Sequence, residues 1–183
     1  MHHGLLRLVL ICGLFAVPML PSLAQDYGDT PYVQTPQVVV DKMLELAKVT
    51  KNDYLIDLGS GDGRILIAAA ERRAQAIGIE INPKLVAAAT DEITRAGLAA
   101  RAKVIQGDVM ATDFSAANVV TLYMDTGSNE KLRPQLEKQL KPGSRVVSHD
   151  YEIPGWKAVR VEKTDEKDRK STRLNSSHVA LSR

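Results

Sequence analysis

The sequence predicts an α/β fold, a doubly wound and mainly parallel sheet that stops short of its last strands. Two observations predict it. From residue 36 to residue 150, short apolar runs alternate with helix-length stretches of apolar residues at helical spacing, the rhythm of right-handed strand-helix-strand crossovers. Each of the first three runs also carries an acid at or near its end, Asp57, Glu80 and Asp108. Ligands of open α/β sheets sit beyond the carboxyl ends of the strands, so three acids there mark one candidate site. Either of the two later acids, taken alone, reads more readily as a solvated loop carboxylate.

Ahead of this unit, residues 1–24 read as a signal peptide. His2, His3 and Arg7 give a weakly basic start, residues 8–19 are apolar, and Ser22 and Ala24 are small at the two positions a signal peptidase reads. Export with cleavage after Ala24 is the expectation, and a start at Met19, leaving a cytoplasmic chain, is the alternative. The apolar run falls short of the roughly 20 residues a stable membrane span needs. Cys12, the single cysteine, lies in the leader, so the mature chain has no thiol for disulfides, nucleophilic catalysis or metal binding.

Residues 25–34 form a polar linker. The domain, residues 35–163, opens with Thr35 as the expected N-cap and Pro36 as the first residue of a helix whose Val39, Met43 and Leu46 recur at helical spacing. Residues 54–58 are the first strand and residues 64–70 a core-facing helix. Residues 76–80 are the second strand, and Asn82-Pro83 then caps and starts a helix that Gly97 can end. The third and fourth strands cover residues 103–109 and 118–124. Residues 125–127 are an exit loop, and residues 130–140 are helical, with Pro134 marking where the main helix begins. Residues 145–150 are the fifth strand. Beyond it, only residues 157–163 offer one more strand. Residues 164–183 are polar, without helical or strand period, and read as a disordered or non-native tail ending in Ser-Thr-Arg-Leu-Asn-Ser-Ser-His and five more residues.

A net charge of +2 and an aromatic content of 4% give no electrostatic or stacking case for nucleic acid. The informative stretch is Asp57-Leu-Gly59-Ser60-Gly61-Asp62-Gly63-Arg64. A dinucleotide fingerprint needs glycine where Arg64 stands, which disfavours an NAD-dependent oxidoreductase. The pattern is D-x-G-x-G-x-G, a strand-end carboxylate beside loop amides expected to be free. That pair suits a ligand carrying an ammonium and a carboxylate about one amino acid apart.

This motif resembles the first motif of the Rossmann-like class I S-adenosylmethionine-dependent methyltransferases. Pro31-Tyr-Val-x-Thr-Pro36, Val119-Val-Thr-Leu-Tyr123, Lys131-Leu-Arg-Pro-x-Leu136 and Arg145-Val-Val-Ser-His-Asp150 narrow the likeness. Together they resemble a group of small members that includes bacterial relatives and the ATP synthase c-subunit lysine methyltransferases. The resemblance implies S-adenosylmethionine as cofactor, with Asp57, Gly59, Ser60 and Gly61 at its methionine part, Glu80 at its ribose, and Asp108 and Val109 at its adenine. Tyr32 closes over the cofactor or packs under the linker. The implied partner is a methyl acceptor, a protein lysine amine. The fourth strand lacks the Asp/Asn-Pro-Pro-Tyr/Phe exit of enzymes that methylate adenine or glutamine, and Met124-Asp-Thr-Gly127 stands where relatives carry an apolar pair and a proline. Tyr123, His149 and Asp150 are the catalytic candidates, with a strand-end hydrogen-bond pair as the plain alternative for the last two. A non-catalytic metabolite-binding module of the cell envelope is the rival function, since an exported enzyme has no evident supply of so polar a donor. No metal site is expected.

Overall fold

The computed structural model describes residues 32–164 and 177–182. The leader, its cleavage point, Cys12 and most of the linker lie outside the described residues.

The elements run α1 (Gln37–Leu46), β1 (Tyr54–Leu58), α2 (Arg64–Glu71), β2 (Gln75–Glu80), α3 (Pro83–Arg95), β3 (Ala102–Gln106), β4 (Val119–Leu122), α4 (Thr126–Gln139), β5 (Arg145–His149), β6 (Arg160–Thr164) and β7 (Ser177–Ser182). The sheet order is β3-β2-β1-β4-β5-β7-β6, with β1 to β5 parallel and β7 antiparallel to both of its neighbours. The order reverses at β1, so the chain leaves β1 and β4 toward opposite faces of the sheet and opens the crevice where such sheets bind ligands.

Strand alternation divides the core in two. Leu55, Ala76, Val119 and Val147 face α1 and α2, where Val40, Met43, Leu44, Leu66 and Ala69 complete one cluster. Ile56, Leu58, Ile79, Val120, Leu122 and Val146 face the other way, onto Phe114 and the Leu132 and Leu136 stripe of α4. Asp57 and Thr121 fall on the α1/α2 side by the same alternation, and they are register partners on β1 and β4.

Four expectations are corrected. The sheet does not stop short: Ser177–Ser182 pairs with β5 on one side and β6 on the other, so β5 is not an open edge. Val179-Ala180-Leu181 is an apolar run of three residues, too short in a polar stretch to read as a strand. Pro36 itself is the N-cap of α1, its carbonyl accepting from Val40 N–H, and Thr35 makes no side-chain cap. Finally, α4 begins at Thr126 and runs through Pro134. Asp125 caps it by accepting from Ser128 N–H (3.0 Å) and from the Ser128 hydroxyl (2.6 Å). Pro134 removes one helix donor, and both Pro134 and Glu130, whose carbonyl loses it, are exposed, where water replaces the bond. β3 is also shorter than expected: the chain leaves the sheet after Gln106 and makes a 3-10 turn at Val109–Ala111, capped by Asp108.

Candidate functional site

The glycine loop follows β1 and is folded tightly against the end of β2. Gly59 and Ser60 N–H both donate to Ile79 O (2.9 and 3.1 Å), and Gly63 N–H donates to Ser60 O (2.9 Å). Glu80, buried at the end of β2, accepts Gly61 N–H at Oε2 and Asn82 N–H at Oε1, each at 2.9 Å. The expectation of free loop amides is therefore corrected. The loop spends its donors on β2, on Glu80 and on Asp62, whose Oδ1 accepts Arg64 N–H at 3.3 Å. What it offers a ligand is close approach.

Two glycines make that approach possible. A Cβ on Gly78 of β2 would lie 2.3 Å from Ser60 Oγ and 2.7 Å from Leu66 Cδ1, so the loop can lie on the strand only where there is no side chain. Gly61 has φ +53°, and a Cβ there would lie 2.3 Å from Tyr32 Cε2. Tyr32 thus packs directly over the loop, with its hydroxyl accepting from Asp62 N–H (3.3 Å), and burial pushes its phenol up. Gln34 Nε2 donates to Asp62 Oδ2, and Arg64 holds the strap from below, donating to Asp62 and to Thr35 O (2.7 Å). Burial works against the Asp62 carboxylate, but the Arg64 guanidinium holds it below the usual range.

Asp57 is 2% exposed, and no ion pair reaches it among the described residues. The Thr121 hydroxyl donates to its Oδ1 at 2.6 Å. Burial pushes its carboxyl up to about 7, a rise the Thr121 bond limits and the charges of Glu80 and Asp62 reinforce. A buried acid in this condition is stabilised by an incoming cation, and its pKa falls when one binds.

Asp57, Glu80 and Asp108 all line one open cleft of about 520 Å³. Tyr32, Gly59, Ser60, Gly61 and Val109 line it as well, so every predicted donor contact is at the same cleft. Ile81, Leu85 and Met110 supply apolar wall, and Asp108 accepts from Met110 N–H (2.8 Å). Among the described residues of the lining, Arg64 is the single cation, and Asp62 already pairs with it.

The catalytic candidates divide. Tyr123 lines the cleft, whereas His149 is 1% exposed and, like Asp150, is not part of the lining. The three are nevertheless one cluster. The Tyr123 ring lies on His149 with centroids 4.1 Å apart, its hydroxyl donates to Asp150 Oδ2 (3.3 Å), and His149 Nε2 is 3.5 Å from Asp150 Oδ1. Tyr151, absent from the predicted set, stacks on Tyr123 at 6.1 Å and completes this wall. Thr121 was also missed. Its signal was a hydroxyl in the middle of an otherwise apolar core strand, where a buried polar group needs a partner.

The residues present fit S-adenosylmethionine. Among the described residues, an acid without a counter-charge, the buried Ser60 hydroxyl without a hydrogen-bond partner, and the glycine loop under the Tyr32 ring all line one cleft. Comparison with known proteins agrees. The family described as "ANTKMT methyltransferase domain" matches residues 57–160. A protein-lysine N-methyltransferase of Saccharolobus islandicus is 47% identical over 138 residues, 74% of this chain and 86% of that protein. The ATP synthase c-subunit lysine N-methyltransferase of Xenopus laevis is 29% identical over 83% of this chain, which spans 65% of that relative. The crystal structure of an RNA methyltransferase from Salinibacter ruber, in complex with S-adenosyl-L-homocysteine, superposes with a TM-score of 0.74 at 45% identity, covering 81% of this chain and 92% of the other. With the motif, the cleft and these relatives in agreement, the chain belongs to the ANTKMT methyltransferase domain family and is an S-adenosylmethionine-dependent methyltransferase.

Proposed function

We propose that the acceptor is a lysine amine of a protein. The observation that carries this reading is the charge at the acceptor side of the cleft: with Asp57, Glu80 and Asp108 assigned to the donor and Asp62 paired with Arg64, Asp125 is the remaining lining carboxylate, and no lining cation among the described residues is unpaired. An acidic mouth attracts an ammonium and repels a phosphate backbone. The names of the lysine-methylating relatives support the same class. The Salinibacter ruber RNA methyltransferase favours RNA instead, and RNA binding needs cations placed to meet phosphates, which this mouth lacks among the described residues.

In this reading Asp57 takes the donor's ammonium, Glu80 uses its remaining lone pairs for ribose hydroxyls, and the Asp108 turn with Val109 and Met110 receives the base. Tyr32 closes the cleft over Gly61. The donor supplies an electrophilic methyl group on a sulfonium, which a neutral amine takes by in-line displacement.

An amine with a reference pKa of about 10.4 must first give up a proton, and withdrawing it from water as it enters the cleft favours the neutral form. Tyr123 stands at that entrance with Asp150 accepting from its hydroxyl, so a proton leaving the amine passes to the Tyr123 oxygen as the tyrosine's own proton moves to the Asp150 carboxylate. His149, buried behind both, keeps the tyrosine ring and the Asp150 carboxylate in place.

The test offers the enzyme and labelled donor a lysine-rich protein, the same protein with its amines acetylated, and RNA. Label on the unblocked protein alone, located to lysine Nζ by fragmentation mass spectrometry, is expected. Label on RNA, or equal label on the blocked protein, would refute the lysine assignment.

A further inference from the structure

The helix after β4 presents an apolar stripe at Leu132, Leu136 and Leu140, all buried. Helical spacing carries that stripe back to position 129, where a leucine would be expected and Asn129 stands, fully buried. Its amide Nδ2 donates to Tyr151 O (3.3 Å) and Glu152 O (3.1 Å). Its Oδ1 has no hydrogen-bond partner among the described residues. Turning the amide over would set that oxygen against two carbonyls, so the orientation is determined. A buried polar group with one end unsatisfied costs stability that an apolar side chain would not, which points to a demand from the loop it grips.

That loop is the acceptor wall. Asp150 sits at φ +60°, and Tyr151 N–H donates back to His149 O at 2.7 Å, so the chain reverses in a tight, strained turn directly after β5. Tyr151 O accepts from the Ser148 hydroxyl and from Asn129, which fixes the turn from two sides. The same face of α4 continues the grip, with Arg133 donating to Pro154 O (2.8 Å) and Glu137 accepting from Trp156 Nε1 (2.6 Å).

We propose that Asn129 is a positioning residue of the acceptor side: it holds the 150–152 turn so that the Tyr151 ring, stacked on Tyr123, walls the entrance through which the acceptor amine reaches the cleft. The proposal rests on the lysine reading above. The expected donor contacts lie at Tyr32, at the ends of β1 and β2 with the loop between β1 and α2, and on the turn after β3; the hydrogen bonds of Asn129 go instead to Asp125, Tyr151 and Glu152, so its loss separates acceptor from donor.

Asn129→Leu restores the apolar stripe and removes both donors, and Asn129→Asp keeps the shape while removing them. Three readouts are taken on each: steady-state kinetics with a lysine peptide, titration with S-adenosylhomocysteine, and fluorescence of Trp156, the single tryptophan, which reports the loop. Expected are a fall in kcat/KM for the peptide of about tenfold to a hundredfold, donor-product affinity within about twofold of wild type, and a red-shifted, more quenchable Trp156. Unchanged kcat/KM in a folded variant overturns the proposal. So does a parallel loss of donor-product affinity, or failure of both variants to fold, since each makes the residue merely structural. A wild type active on lysine peptides with equally active variants overturns this proposal alone. A wild type inert on them overturns the lysine reading and this proposal with it.

Discussion

The Thr121 hydroxyl donates to Asp57 Oδ1 at 2.6 Å, joining two strands that lie 64 residues apart in the chain. It is the contact that keeps a fully buried carboxylate able to ionise. Thr121→Val keeps the shape of the side chain and removes the donor. A hydrogen bond to a charged group is worth about 1.5–3 kcal/mol, so donor affinity at pH 7 should fall about tenfold or more. Raising the pH should recover part of it, because the variant raises the Asp57 pKa further. Isothermal titration with S-adenosylhomocysteine at two pH values measures both effects, and an unchanged affinity would count against the role of the pair.

The raised carboxyl of Asp57 predicts how stability depends on pH. Its folded pKa of about 7 lies above the ordinary value of 3.8, so its stabilising contribution is complete below about pH 4 and is lost as pH rises through about 7. That loss is on the order of 4 kcal/mol across the window. Chemical denaturation of the ligand-free protein between pH 4.5 and 8 should show it, and Asp57→Asn should flatten the profile over the same range.

Donor binding should release a proton for the same reason. At pH 7 the free site is about half protonated, and an ammonium beside Asp57 favours the carboxylate. Calorimetry in buffers of different ionisation enthalpy should therefore report release of about half a proton, with affinity tightening from pH 6 to 8. No proton exchange would mean that Asp57 does not meet a cation.

Gly78→Ala tests the packing under the loop. The added methyl meets Ser60 and Leu66, neither of which is a flexible chain end in open space. Overpacking of this kind costs about 1–3 kcal/mol. Denaturant midpoints should fall accordingly, and donor affinity should drop as the loop lifts from β2. Ser60→Gly in the same chain should restore part of both.

Much of this site was legible in the sequence because its acids stand at the ends of short apolar runs, and run length and spacing survive without tertiary information. β1, β2 and α3 match their expected bounds to within a residue for that reason. The misreadings have a common physical cause. Pro134 looks like a helix boundary locally, yet the Asp125 cap and the packing of Leu132 and Leu136 carry α4 through it. The loop amides look free until β2 lies beside them and takes their donors. Thr121 and Asn129 act on residues far away in the chain, so nothing in their own neighbourhood announces a partner beyond the oddity of a polar residue on an apolar face.

The most direct test of the account titrates S-adenosylhomocysteine into the wild type, Asp57→Asn and Asp150→Ala, and assays methyl transfer to a lysine acceptor in parallel. The account predicts that Asp57→Asn loses measurable donor-product binding and turnover together. It predicts that Asp150→Ala keeps wild-type binding while turnover falls by about a hundredfold. Wild-type affinity in Asp57→Asn would contradict the placement of the donor, and wild-type turnover in Asp150→Ala would contradict the placement of the acceptor.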